Sequence, residues 1–358
     1  MKTESNEEMN EIFSLLEKFI DLSKQLALTH PYFVVISMHE YFRIIWPNDP
    51  FIQEKLSEDK LENIKMCLNN LIDLSKNMKL VGSYFNDANP ISNFYKNLEE
   101  DNENESNMTQ TVYGKLWKNL EEDYVRGESK NVLINLLHSG GYDADYFKNK
   151  SILDMGCGSG RFSIGFAQLG AKKVTGIDLG KTGIQVGTNI IKKFNLDNVK
   201  LIEGNVLSLP FDDEEFDFVF SKGVLHHTGN LQKGLEEYFR VLKSGGSGFL
   251  YLYGSGGLFW KSRQKMREVM KLIPMNYTIE ILKNIGMPSK RYVFADSWYV
   301  PTEEHVERNW LEQFLSDLKY SKIQRIDVTG DNTIESMSTQ PFSEELWGDG
   351  ELRYFLNK

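Results

Sequence analysis

Ile152-Leu153-Asp154-Met155-Gly156-Cys157-Gly158-Ser159-Gly160-Arg161-Phe162 reads as a buried strand, a tight glycine turn and the start of a helix. Glycine lets the backbone take positive φ and lets a ligand approach without meeting a Cβ. In a doubly wound fold such a turn lies at the carboxyl end of a strand, where nucleotide-like ligands bind. A glycine turn alone also suits dinucleotides, and spacing separates the two. The dinucleotide fingerprint wants glycine at the first, third and sixth positions of the turn. Here Arg161 holds the sixth, and the glycines hold the first, third and fifth. Asp154 stands two residues before the first glycine, where a carboxylate can meet a charged amine directly or through water.

Beyond Tyr146, short apolar runs alternate with helical stretches, the pattern of a mostly parallel sheet covered on both faces. Strands are predicted at Ile152–Met155, Lys173–Ile177, Val199–Ile202, Phe216–Phe220, Gly248–Tyr253 and Ile323–Val328. A last one, Glu351–Leu356, follows a glycine-rich turn and returns along the sheet edge. The fold class is α/β: a doubly wound, seven-stranded sheet with its last strand antiparallel.

Upstream, residues from Glu7 to Leu80 read as helical. Ile12, Leu15, Leu16, Phe19 and Ile20 fall at helical spacing, as do Leu61, Ile64, Leu68, Leu71 and Ile72. Pro31, Pro47 and Pro50 cut this region into two or three helices. The stretch from Asn86 to Met108 is rich in Asn, Asp, Glu and Ser and cannot bury enough apolar surface to order itself. These features divide the chain into a helical region at 1–85, an acidic linker at 86–110 and an α/β domain at 111–358. An insertion rich in aromatic side chains, 254–320, separates the fifth and sixth strands.

Three further strand ends carry polar groups. Asp178 closes Val174-Thr175-Gly176-Ile177-Asp178-Leu179, at the place where an acidic residue accepts both ribose hydroxyls. Gly204-Asn205-Val206 follows the third strand, where a polar side chain can read an adenine amino group. The fourth strand runs into Ser221-Lys222-Gly223-Val224-Leu225-His226-His227-Thr228.

These stretches, with Glu237, Arg240, Val241, Leu242, Lys243, Gly245 and Gly246 after them, resemble the class I S-adenosylmethionine-dependent methyltransferases. The likeness is greatest to the branch acting on small molecules, including quinone-ring methyltransferases. It covers roughly 113–358 and is densest over 152–253. The resemblance implies a Rossmann-like fold with S-adenosylmethionine as cofactor and S-adenosylhomocysteine as product. It places cofactor contacts at Asp154, Gly156, Cys157, Gly158 and Gly160, at Asp178 and Leu179, at Asn205 and Val206, and at Ser221 and Gly223. Asn205 is a departure, since the family usually carries Asp there; an amide still hydrogen-bonds adenine.

Methyl transfer is an in-line displacement, so catalysis is largely positioning and exclusion of water. An acceptor of high pKa also needs a base, and an imidazole near pKa 6.5 suits that role. His226 and His227 are the candidates; the alternative is that one caps the following helix or packs on the cofactor. Trp260, Tyr292, Asp296, Trp298 and Tyr299 in the insertion, with Tyr113 and Trp117 upstream, are candidate substrate-binding residues. The insertion is either a lid with aromatic walls or an ordinary helical core.

Several chemistries are disfavoured. No Asn/Asp-Pro-Pro-aromatic tetrad follows the fourth strand, against amide or base-nitrogen acceptors. Neither cysteine, Cys67 nor Cys157, sits where a cytosine-attacking nucleophile is needed. Asp212, Asp213, Glu214 and Glu215 precede the fourth strand on a surface turn, so no metal is expected. A net charge of −10, from 41 basic and 51 acidic residues, argues against nucleic acid as partner. The basic run Lys261, Arg263, Lys265 and Arg267 reads as a solvated helix face. With no signal peptide and no apolar run long enough to span a bilayer, the chain reads as cytoplasmic. The N-terminal helices could form a homodimer, bind a carrier protein or cap the active site. Two other classes compete: a regulatory binder that holds S-adenosylmethionine without turnover, and a nicotinamide oxidoreductase. A methyltransferase for protein or tRNA is a further alternative.

Overall fold

A computed structural model describes residues 2–45, 60–84, 122–286, 294, 297–326 and 342–358. The chain divides into two compact units. One, of sheet and helices, comprises Thr109–Ser255, Pro301–Thr339 and Asp349–Lys358; the other comprises Met1–Met108, Gly256–Val300 and Gln340–Gly348.

The sheet unit opens with α4 (Glu122–Ser139) and then alternates β1 (Ser151–Met155), α5 (Arg161–Gln168), β2 (Lys173–Asp178), α6 (Lys181–Lys193) and β3 (Val199–Glu203). It returns through β4 (Phe216–Lys222), a 3₁₀ turn at Leu225–His227, α7 (Leu231–Val241) and β5 (Leu242–Tyr253). After the excursion into the other unit come α10 (Arg308–Asp317), β6 (Lys322–Arg325) and β7 (Glu351–Asn357). The seven strands lie in the order β3-β2-β1-β4-β5-β7-β6, and β7 is antiparallel to both its neighbours. This is the Rossmann-like arrangement expected.

The chain moves outward through β1, β2 and β3, then jumps back to β4 beside β1. That reversal opens a crevice at the carboxyl ends of β1 and β4, the place where doubly wound sheets bind ligands. Met155 pairs with Ser221 there, so the glycine turn after β1 and the turn after β4 leave the sheet side by side. Period-two alternation sends Leu153, Met155, Val219, Leu250 and Leu252 into one core. Ile152, Val174, Phe218, Phe220, Phe249 and Phe355 enter the core on the opposite face. Covered on both faces, the central strands carry no polar alternation.

Two strands differ from the sequence prediction. β5 begins at Leu242, not Gly248, and its pairing with β4 shifts register between Phe216 and Phe218. Gly245, at φ +77°, lets the chain bend inside the strand, so Gly245 and Gly246 lie within it. β6 ends at Arg325; Ile326 is outside the strand, and the rest of the predicted continuation, 327–328, lies outside the described residues.

The second unit is helical. It contains α1 (Lys2–Leu26), α2 (Pro31–Ile45), α3 (Lys60–Tyr84), α8 (Gly257–Met270), α9 (Met275–Asn284) and the short α11 (Ser343–Trp347). Pro31 opens α2, a position where its missing N–H costs nothing. Ile12, Leu16, Phe19 and Ile20 bury one face of α1. Phe42 of α2 packs against Phe259, Phe294 and Trp298, and Tyr41 shares a 2.8 Å hydrogen bond with Ser262 of α8. The predicted solvated face at 261–267 is only half so. Lys265 pairs with Glu17 at 3.0 Å, whereas Arg263 and Arg267 are buried. Arg267 donates to the carbonyls of Ser297 and Val300, which satisfies a guanidinium out of water. No helix among the described residues is long and apolar enough to cross a membrane.

Candidate active site

The glycine turn is held against β2 from both sides. The amides of Gly156 and Cys157 donate to the Ile177 carbonyl at 2.8 and 3.1 Å. Gly156 is at φ +74°, and a β-carbon there would overlap Val224 from the turn after β4. Helix α6 closes in from the other side through a pair of small residues one turn apart. A β-carbon at Gly183 would lie 2.8 Å from the Gly158 carbonyl oxygen, and one at Gly187 would overlap that of Ser159.

Asp178 is the organising side chain. Its Oδ2 accepts from the Gly158 amide at 2.9 Å and its Oδ1 from the Gly180 amide at 2.7 Å. One carboxylate thus ties the glycine turn to the start of α6, and each oxygen keeps a lone pair for a ligand. Burial raises its pKa, and the two amides oppose that rise. Leu179 beside it is exposed.

Asp154 is buried at the end of β1, with Ser163 of α5 donating to it at 2.6 Å. Burial pushes its pKa up to about 7; the Ser163 bond lowers it and the charge of Asp178 raises it. No cation is ion-paired with Asp154 among the described residues. A positive group that arrives beside such a carboxylate favours its ionised form.

This has a measurable consequence. In the unfolded chain an aspartate titrates near 3.9, so between about pH 4 and 7 the folded protein holds a proton that the unfolded chain has lost. Stability of the ligand-free protein is therefore expected to fall as pH rises through that window and to level off above it. Melting temperatures at pH 5 and pH 7.5 check this. The contribution should vanish in Asp154→Asn, and an equal pH slope in that variant would reject it.

The other expected contacts are distributed as follows. Gly160 donates to the Cys157 carbonyl at 2.8 Å, and the buried Cys157 thiol is pushed well above its usual range by burial and by Asp154 and Asp178. Asn205 is exposed, and its Oδ1 accepts from the Leu207 amide at 2.9 Å, capping the turn after β3. Val206 sends its side chain into the core. Ser221 is fully buried at the end of β4, and its hydroxyl has no hydrogen-bond partner among the described residues. Gly223 donates to the Tyr251 carbonyl at 3.2 Å.

The two histidines differ sharply. His226 is fully buried and stacked on Tyr253, with centroids 3.8 Å apart. Its Nδ1 lies 3.4 Å from the Tyr253 amide, an N–H that can only donate, so in the neutral ring Nε2 carries the proton. His227 is half-buried, and its Nδ1 lies 2.8 Å from the Thr302 carbonyl, which can only accept. In the neutral ring Nδ1 therefore holds the proton and Nε2 is the basic nitrogen.

Trp260, Trp298 and Tyr299 are buried inside the helical unit. Trp298 packs on Phe42 and Phe294, and the Tyr299 hydroxyl donates to the Ile273 carbonyl at 2.9 Å. Packing accounts for these three side chains. Tyr113, Trp117, Tyr292 and Asp296 lie outside the described residues. Sequence reasoning missed Ser163, Thr302 and the pair Gly183 and Gly187. Only the glycines left a signal, two small residues at i and i+4.

Residues 147–296 match the family model described as a methyltransferase domain. This segment is similar to methyltransferase domains. Over 101 residues the chain is 39% identical to demethylmenaquinone methyltransferases of Listeria welshimeri and of Geobacillus stearothermophilus. Each match spans 28% of this chain and 43% of the relative, so the chain spans less than half the length of these curated proteins. A methyltransferase structure from Aquifex aeolicus overlaps 66% of this chain and 98% of its own at 14% identity, with a TM-score of 0.38. The cofactor of a class I methyltransferase domain is S-adenosylmethionine, and the crevice suits it. A buried carboxylate with no ion pair among the described residues, a second carboxylate with free lone pairs and an exposed leucine beside it match an ammonium, a ribose and an adenine.

Proposed function

We propose that the protein transfers a methyl group from S-adenosylmethionine to a small acceptor whose reacting atom must lose a proton, with a reduced quinone ring as the first candidate. The observations that carry this reading are the Asp178 carboxylate at the end of β2, braced by the Gly158 and Gly180 amides, and a tautomerically fixed His227 in the turn after β4. Asp154 would hold the cofactor's ammonium, Asp178 its ribose and Asn205 with Leu179 its adenine. Bound there, the cofactor supplies an electrophilic methyl on a sulfonium. His227 Nε2 accepts the proton of the acceptor, and His226, stacked on Tyr253, keeps the turn rigid. The curated relatives' name favours a quinone substrate, since a quinol hydroxyl is acidic enough for an imidazole to deprotonate.

The test is transfer of label from methyl-labelled cofactor into an organic extract, with reduced demethylmenaquinone, simple phenols and amines offered separately. Label in the quinol extract above the phenol and amine controls is the expected result. Tight cofactor binding with no transfer to any of the three classes would instead favour a binder without turnover.

A further inference from the structure

We propose that Glu303 and His305, from the segment after the helical excursion, are positioning residues that hold His227 in its Nδ1–H tautomer. The inference rests on the reading of His227 as the base. A neutral imidazole carries its proton on either nitrogen, and the partner of one nitrogen decides what the other can do. For His227 that partner is a main-chain carbonyl, Thr302 O, 75 residues further along the chain. The basicity of Nε2 thus depends on where the segment Pro301–Val306 sits.

That segment is a strap laid along the exit of β5. The Glu304 amide donates to the His226 carbonyl at 2.8 Å, and the Val306 amide to that of Tyr253 at 3.1 Å. Val306 also forms a parallel bridge with Gly254. Burial raises the pKa of the Glu304 carboxyl, and the nearby amides of Leu231 and Gly229, just past the histidine turn, oppose that rise. These bonds place the strap's middle and end. Thr302, at its start, is steered by an adjacent side-chain device. His305 Nδ1 donates to the Gly254 carbonyl at 3.1 Å, and its Nε2 lies 2.9 Å from Glu303 Oε1. The Glu303 and His305 side chains are only 2% and 7% exposed.

A buried carboxylate–imidazole pair is poor value as a source of stability, because desolvation offsets most of its attraction. Its better-attested use is to specify one arrangement among several of similar energy. Here the pair joins the residue next to Thr302 to a ring that is itself fastened to the end of β5. The loop Glu303–His305 is closed on itself, and the Thr302 carbonyl is left facing His227. Without the pair, the first half of the strap loses this side-chain anchor to β5, and the carbonyl is freer to rotate away.

The experiment is ¹⁵N spectroscopy of the imidazoles in the full chain, with His227→Ala used to assign the ring. In the wild type, His227 is expected to show a protonated Nδ1 and a bare Nε2. Glu303→Ala should move the two nitrogens toward a mixed tautomer. Glu303→Gln should restore the wild-type pattern, because its amide N–H can donate to Nε2 of a neutral His305. His305→Asn, a smaller change to the core, serves if Glu303→Ala does not fold, and should mix the tautomers likewise. An unaltered His227 pattern in a folded Glu303→Ala or His305→Asn overturns the proposal. Turnover separates it from the base reading. Glu303→Ala should lower the rate at saturating cofactor about 10-fold, a part of the ~100-fold or more that a general base contributes. It should lower it no further on top of His227→Ala. Full activity in His227→Ala overturns the base reading, while the spectra still decide the strap.

Discussion

Asp178→Ala is expected to weaken S-adenosylmethionine binding about 100-fold. The carboxylate is half-buried, and each oxygen already accepts one backbone amide, so its orientation toward a ligand is fixed before the ligand arrives. Two ribose hydroxyls donating to a charged acceptor are worth about 3 kcal/mol together, or roughly 100-fold in Kd. Removing the side chain also orphans the Gly158 and Gly180 amides, which loosens the glycine turn. Calorimetric titration of wild type and variant with S-adenosylhomocysteine separates the two contributions when repeated with an analogue lacking the ribose hydroxyls. The variant should bind that analogue nearly as well as the wild type does. Equal affinity of the two proteins for the natural ligand would remove Asp178 from the site.

The crevice was legible because its determinants are local. A short strand of three apolar residues and one aspartate running into Gly-x-Gly-x-Gly has few other readings, and an acidic residue at the end of the next strand narrows them further. The sheet was legible for a related reason: βα alternation leaves a near-continuous apolar run at each buried strand. What stayed hidden depends on contacts distant in sequence. Thr302 acts through its carbonyl, which every residue has, so no side-chain pattern marks it. Arg263 and Arg267 look like surface residues because charge usually means solvent. Arg267 is buried because the carbonyls of Ser297 and Val300, from a later segment, meet it. The aromatic residues of the insertion show the converse ambiguity. Trp298 and Tyr299 were equally consistent with ligand walls and with a core, and their neighbours in the fold decided for packing.

The same distinction separates the adjacent histidines, which the sequence presents as equals. His226 spends its Nδ1 as an acceptor toward the Tyr253 amide and lies flat on the Tyr253 ring, so its neutral form offers a proton on Nε2 rather than a lone pair. His227 is arranged the other way round. His227→Ala is therefore expected to lower the rate at saturating cofactor by about 100-fold or more, the range of a lost general base, with cofactor affinity little changed. His226→Ala should act mainly on stability, because it empties a fully buried site between Tyr253 and the neighbouring ring. Single-turnover rates and melting curves for both variants check the assignment. A pH–rate profile adds an independent reading: the limb that requires an unprotonated imidazole should be present in His226→Ala and absent in His227→Ala. Slower turnover in His226→Ala alone, with that limb lost, would transfer the base to the buried ring.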